Sequence, residues 1–276
     1  MLTRSRPSES KTRVPPAGGN GAVAEGTSVS IRGVGHSFGS LRALEGITLE
    51  AAPAEVLGIV GPSGCGKTTL LELVAGLREP DSGTISIGGA SAAEDRLARS
   101  AYMPQRDLLL PWLNAIDNAG LAARVAGGSR TEARRQAAPL FERLGLGGFE
   151  LTRPEELSGG MRQRVAFLRT LIAGRPLLLL DEPFASLDAI TRAEMQEWPA
   201  GVLAGDRHTV LLVTNDVEEA AYLSDRVAVL TPRPGRVVAE LEMPAPRERD
   251  RAAAVTSAEF AELRQRALHA LAGGEG

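Results

Sequence analysis

Residues 61–68 read Gly61-Pro62-Ser63-Gly64-Cys65-Gly66-Lys67-Thr68. The pattern is G-x-x-x-x-G-K-[ST]. It has the flanks it needs, a short apolar run at 56–60 before it and an apolar stretch at 68–77 after it. These predict a buried strand, a glycine-rich loop and a helix. Glycines let backbone N–H groups turn inward around phosphate oxygens, and the helix aims its positive end at them. A lysine at this position reaches β- and γ-phosphates, and the threonine hydroxyl serves Mg2+. The candidate phosphate cradle is therefore Gly61, Pro62, Ser63, Gly64, Cys65, Gly66, Lys67 and Thr68, with Thr69 as a further nucleotide contact.

A second apolar run, the leucines at 177–180, ends in Asp181-Glu182. A buried strand ending in two carboxylates can set one beside a metal ion and the other beside an attacking water. Asp181 is the candidate Mg2+ ligand and Glu182 the candidate general base.

Outward from these stretches the pattern is that of an α/β chain. Residues 29–34 and 47–51 alternate apolar and polar side chains and predict half-buried strands. Another strand is expected at 84–87, before Gly88-Gly89. Residues 105–158 carry no strand signal and read as helical. Within them, 131–144 places Leu140, Phe141 and Leu144 on one helical face, and Pro139 is expected to kink or split that helix. Residues 209–214 predict a strand covered on both faces. Runs at 227–230 and 237–241 flank Pro232-Arg233-Pro234-Gly235 and predict a hairpin. Thr256-Ser257-Ala258-Glu259 reads as a capping box opening a last helix, with Phe260, Leu263, Leu268 and Leu271 near one face. Residues 1–27, rich in Ser, Pro, Gly and Arg, are expected to form a disordered tail.

Composition narrows the function. The 276 residues carry a net charge of −3 and are 43% hydrophobic and 24% charged, so there is no basic footprint for nucleic acid. Aromatic residues make up 4%, which argues against base-stacking platforms. A single cysteine, Cys65, excludes an intrachain disulfide and suits a reducing cytosol. No apolar stretch approaches the ~20 residues of a membrane span. The start of the chain lacks the apolar core of a secretory signal. Any membrane connection is expected to run through a partner.

Leu157-Ser158-Gly159-Gly160-Met161-Arg162-Gln163 opens a helix upstream of Asp181. Taken alone, Ser158 is an N-cap and the glycines a tight entry. The same segment also suits a second phosphate-binding helix N-terminus. The order of motifs decides between the two. Phosphate loop, Gln105, LSGGMRQ, LLLLDEP and Ser186-Leu187-Asp188 follow one another, and over residues 28–245 the chain resembles the ABC ATPase family.

That resemblance implies an α/β fold. It has a P-loop core, an antiparallel β-subdomain, an inserted helical subdomain at 105–160 and a helical extension at 246–276. It implies that Phe38 stacks on adenine and that Gln105 contacts Mg2+ and links to a transmembrane partner. It also implies that Ser158, Gly159 and Gly160 touch the γ-phosphate of an opposite subunit, with Asp188 across the same interface. The implied cofactors are ATP and Mg2+. The implied assembly is a head-to-tail pair of ATPase subunits, identical or different.

Within the family, Leu108-Leu109-Leu110-Pro111-Trp112 resembles nitrate-, sulfonate- and taurine-type importers and importers of thiamine precursors. So do Arg233-Pro234-Gly235-Arg236 and the helix at 259–264. This implies membrane permease subunits, indirectly an extracytoplasmic solute-binding protein, and a place on the inner face of the cell membrane. Trp112 and its neighbours are expected to border the groove for a permease helix; a core segment is the other reading. Two further classes compete. One is a hydrolysis-poor subunit paired with a second ATPase chain. The other is a non-transport ABC ATPase of DNA repair or the ribosome, for which neither long coiled coils nor a second cassette is visible.

One position departs from the family. Val213-Thr214-Asn215-Asp216 carries asparagine where a switch histidine is usual. Asparagine can donate a hydrogen bond but stays neutral and relays no proton. Asn215 either supports slow turnover or marks a hydrolysis-poor subunit. Cys65, near a helix N-terminus, is expected to have a lowered pKa, so that alkylation blocks ATP binding and ATP protects the thiol. His36, His208 and His269 are expected on the surface or in loops.

Overall fold

The computed structural model describes residues 25–185, 207–243 and 251–273. Ser186, Leu187 and Asp188 lie outside them, as do residues 1–24.

Two sheets share the chain. β1 (Val29–Phe38), β2 (Leu41–Ala51) and β4 (Ser82–Ile87) form an antiparallel sheet in the order β2-β1-β4. Its inner face is the apolar half of the alternation read at 29–34 and 47–51: Val29, Ile31, Val34, Ile47 and Leu49 are buried. The second sheet contains β3 (Val56–Val60), β5 (Ser100–Met103), β6 (Leu177–Asp181), β7 (Thr209–Thr214), β8 (Arg226–Leu230) and β9 (Val237–Glu242). Its order is β5-β6-β7-β3-β8-β9. All pairs are parallel except β8–β9, the predicted hairpin. β3, β6 and β7 are buried along their whole length, which is why they read as unbroken apolar runs. Each buried Leu or Val there contributes roughly 1.5–3 kcal/mol of transfer free energy.

Helices cover both faces. α1 (Lys67–Ala75) starts at the left-handed Gly66 and ends at Gly76, whose N–H closes on Leu73. α2 (Ala93–Arg99) leads into β5. Between β5 and β6 there is no strand, as expected, but the segment is only partly helical: 105–114 and 144–153 are turns and loops. Its helical parts are α3 (Ala115–Ala119), α4 (Leu121–Val125), α5 (Arg130–Arg143), a 3-10 turn at Pro154–Glu156 and α6 (Gly159–Ile172). α7 (Val217–Leu223) opens on Asp216, whose carboxylate accepts from Glu218 and Glu219 N–H. α8 (Arg251–Val255) and α9 (Ala258–Gly273) pack against α7, and α9 also meets β9.

Three local expectations need correction. Of the kink or split expected at Pro139, the split does not occur: α5 runs as one helix from Arg130 to Arg143. The proline sits on the exposed side, where water can reach the carbonyl it leaves unpaired. Ala133, Ala137 and Phe141 hold the opposite side in the core. The last helix is capped by Ser257, not Thr256: Ser257 Oγ accepts from Phe260 N–H, while Thr256 Oγ1 donates back to Ala253. On that helix Phe260 and Ala267 are buried and Leu263 and Leu271 half-buried, but Leu268 is exposed. Of the histidines, only His36 departs from expectation: it lies in β1 with Nδ1 3.5 Å from Asp81, whereas His208 is in a loop, though buried, and His269 is exposed.

The helical region carries an exposed apolar segment. Trp112 is 66% exposed and Leu108 also faces solvent, while Leu109 packs against the core and Leu110 is half-buried, so 108–112 is at most partly a core segment. Its backbone is fastened from below. Buried Asn118 accepts from Leu110 N–H at 2.7 Å and donates to the carbonyls of Leu110, Leu113 and Asn114. Arg169 donates to the carbonyls of Asp107 and Leu108. Buried Asp117 is gripped by Arg130 and Arg134, which hold its carboxyl well below the usual carboxylate range.

Candidate nucleotide site

The sheet order brings four strand ends together. β3, β7, β6 and β5 are neighbours or near neighbours, and each releases a loop from its carboxyl end, where open α/β sheets bind ligands. β3 runs into the phosphate loop, β6 into Glu182, β7 into Asn215 and β5 into Gln105. The register levels them: Val60 pairs with Thr214, Asp181 with Val213, and Met103 with Leu180.

The loop turns as its glycines allow. Gly64 and Gly66 have φ of 77° and 110°, and a Cβ on Gly66 would stand 2.6 Å from Leu44. Lys67 is 5% exposed. Its Nζ donates to the carbonyls of Gly61 and Pro62 at 2.8 and 3.2 Å and to Asn215 Oδ1 at 2.6 Å. A buried ammonium held only by neutral acceptors is one an anion can engage.

Asp181 is buried behind the loop. Thr68 Oγ1 donates to its Oδ1 at 3.1 Å and the Tyr102 hydroxyl to its Oδ2 at 2.9 Å. Burial pushes the Asp181 carboxyl up, and the two hydroxyls and Lys67 pull it back. Burial and Asp181 push the Tyr102 phenol upward, which keeps it a donor. Glu182 follows with φ 45°, a left-handed backbone unusual for a side-chain-bearing residue, and its N–H bonds Val213 O at 2.9 Å. Its two carboxylate oxygens are met one each, by Gln105 Nε2 at 3.3 Å and by Asn215 Nδ2.

Lys67, Thr68, Gln105, Glu182 and Asn215 line one cavity of about 370 Å3, with Asp181 and Tyr102 behind its wall. At one end stands Phe38, 43% exposed, with Leu41 and Ala43 beside it. His36 meets the Phe38 ring edge-on, and Arg78 lies 5.1 Å from its centroid. Ser63, Gly64, Gly66 and Thr69 also line the cavity. Gly61 and Pro62 supply backbone to the turn. Ser158, Gly159 and Gly160 do not reach this cavity. Ser158 caps α6, accepting from Met161 N–H, and Gly159 borders a separate groove that includes Gln105 to Leu109. Asp188 lies outside the described residues.

Cys65 overturns its expectation. It is 1% exposed, and burial pushes the thiol pKa up rather than down. The helix terminus and Lys67, 4.0 Å away, do not offset desolvation. A maleimide should therefore label the folded protein far more slowly than the unfolded chain, with or without nucleotide. Equal labelling rates in buffer and in denaturant would contradict this.

Two residues escaped the sequence reading. Tyr102 gave no signal, because a tyrosine in a four-residue strand reads as packing. Arg233 was noted only as part of a family-like tail, yet it lines the cavity from the β8–β9 turn.

Fold and cavity together define a P-loop nucleoside triphosphatase. The family model described as ABC transporter matches residues 44–185. The aliphatic sulfonates import ATP-binding protein SsuB 1 of Rhodococcus jostii is 45% identical over 232 residues, covering 84% of this chain and 89% of that one. The formylaminopyrimidine import ATP-binding protein ThiZ of Halalkalibacterium halodurans is 43% identical over 201 residues, covering 73% and 78%. The taurine import ATP-binding protein TauB of Chromobacterium violaceum is 41% identical over 230 residues, covering 82% and 88%. Among solved structures, the dimeric post-hydrolysis state of the ATP-binding cassette MJ0796, bound to ADP and Pi, superposes with a TM-score of 0.68. It is 28% identical and covers 78% of this chain and 98% of that one. The chain belongs to the ABC transporter ATP-binding family.

Proposed function

We propose that this chain is the ATP-hydrolysing subunit of an importer for a small solute of the sulfonate, taurine, nitrate or thiamine-precursor kind. The observation that carries the ATPase reading is the convergence of Lys67, Thr68, Gln105, Glu182 and Asn215 on one cavity, with Asp181 behind it. The importer reading rests on the relatives named above.

The residues present suit the nucleotide and its metal. Phe38 is the platform for the adenine ring. The loop N–H groups, Lys67 and the α1 N-terminus receive the phosphates. Thr68, Asp181 and Gln105 offer the oxygen donors that Mg2+ prefers and would hold it. Bound there, the metal neutralises charge on the phosphates. Glu182 accepts the proton of the attacking water. Asn215 orients Glu182 through Nδ2 and keeps a hydrogen bond on Lys67 through Oδ1.

Ser158, Gly159 and Gly160 stand apart from the chain's own cavity, which supports a second ATPase subunit that receives them head to tail. Asp188 joins them in that role. Residues 28–245 form the ATPase domain, 105–160 its helical subdomain and 246–276 a helical extension. The exposed segment around Trp112 is the permease-facing surface. Among the described residues no helix is long and apolar enough to cross a membrane. We therefore place the chain at the inner face of the cell membrane through its permease, with the solute-binding protein a more distant partner.

The test is phosphate release by the purified chain with ATP, with and without Mg2+, followed by co-purification from cells of its source. Mg2+-dependent hydrolysis and a co-purifying multi-span membrane protein are expected. Nucleic acid in place of a membrane protein would sink the importer reading.

A further inference from the structure

The β8–β9 turn was legible as a family marker, but its place against the phosphate loop was not. Gly235 N–H donates to Ala43 O at 2.9 Å, and Glu45 N–H donates to Gly235 O at 3.0 Å. The turn thereby clamps onto β2. A Cβ on Gly235 would stand 2.4 Å from Cys65 O, so only glycine lets the turn approach the phosphate loop this closely. Thr231 stiffens it, its hydroxyl donating to Pro234 O and accepting from Arg236 N–H.

The two arginines of the turn are used differently. Arg236 pairs with Glu45. Arg233 Nε donates to Gly64 O at 3.0 Å, and its guanidinium lies over Gly64, whose Cβ would stand 3.0 Å from Nη2. Arg233 lines the nucleotide cavity, and among the described residues no carboxylate pairs with it. A cation fixed at one nitrogen, with its remaining N–H groups at an anion-binding loop, has the geometry of a phosphate ligand.

We propose that Arg233 is a nucleotide-binding residue, a second cation beside Lys67 that engages the polyphosphate of the bound nucleotide. It acts from outside the phosphate loop, across 169 residues of sequence. The inference rests on the reading of this cavity as an ATP site.

The test is equilibrium binding of fluorescent ADP and ATP analogues to the full chain in a Glu182→Gln background. Arg233→Ala, Arg233→Gln and Arg233→Lys are compared with the parent and with Lys67→Ala. Loss of a charge-assisted contact predicts roughly tenfold to hundredfold weaker binding for the Ala and Gln variants, with Lys intermediate. The gap should narrow as salt is raised. Arg233 is exposed, so the nucleotide-free variants should melt at the parent's temperature. Affinity of Arg233→Ala within about twofold of the parent overturns the proposal. So does full recovery by Arg233→Gln, which keeps a donor for Gly64 O but no charge. If the parent itself binds no nucleotide, the ATP reading falls, and this proposal with it. If the parent binds and Lys67→Ala does not, a null result at Arg233 removes this proposal alone.

Discussion

Glu182→Gln should lower ATP turnover by roughly 10²–10⁴-fold while leaving nucleotide binding intact. The argument is geometric. Glu182 leaves β6 with a left-handed φ of 45°, fixed by its N–H bond to Val213 O, so its carboxylate turns into the cavity and not along the strand. Gln105 and Asn215 each hold one of its two oxygens. Glutamine has the same shape and can keep the Asn215 bond, so the site survives. It cannot take a proton from water. Removing a negative charge beside the triphosphate should, if anything, tighten ATP. Steady-state phosphate release and analogue binding, measured on the same preparation, separate the two effects. Turnover within about tenfold of the parent would remove Glu182 from the role of base.

Asn215→Ala should cost roughly 10²-fold or more in turnover, the scale set by removing one aligned donor from a site of developing charge. Asn215 bridges Lys67 and Glu182, the two side chains the chemistry most needs in register. Its amide has one donor and one acceptor for the two partners, a task alanine cannot perform. Asn215→His is the informative partner variant. Asparagine does not titrate, so its own protonation gives the parent's rate no step. The imidazole should introduce a step near pH ~6.5. Turnover profiles over that range, with Glu182→Gln as the blank, decide between the two readings of this position. A parent clearly above the blank makes Asn215 a working switch. A parent equal to the blank, with activity appearing only in the histidine variant, makes this a hydrolysis-poor subunit that needs a second ATPase chain.

Much of the fold could be read directly. The runs at 56–60, 177–180 and 209–214 became β3, β6 and β7 because a strand covered on both faces must be apolar at every position. The alternation at 29–34 and 47–51 became one sheet with one wet face. Local chemistry misled where burial overrode it. Cys65 follows its desolvation and not its helix terminus, Pro139 is tolerated on a wet face, and Thr256 yields the cap to Ser257.

The sequence by itself determined the phosphate loop, the paired carboxylates, the family and every described strand except the short β5. Each is written in contiguous residues whose spacing reports local burial or backbone freedom. Only the tertiary structure decided that Asn215 bridges Lys67 to Glu182, that Tyr102 holds Asp181, and that Arg233 leans into the cavity over Gly64. These contacts depend on the strand order β5-β6-β7-β3-β8-β9, which is not the order of the chain. Periodicity tells each strand that it is buried, but packing of whole elements chooses its neighbours.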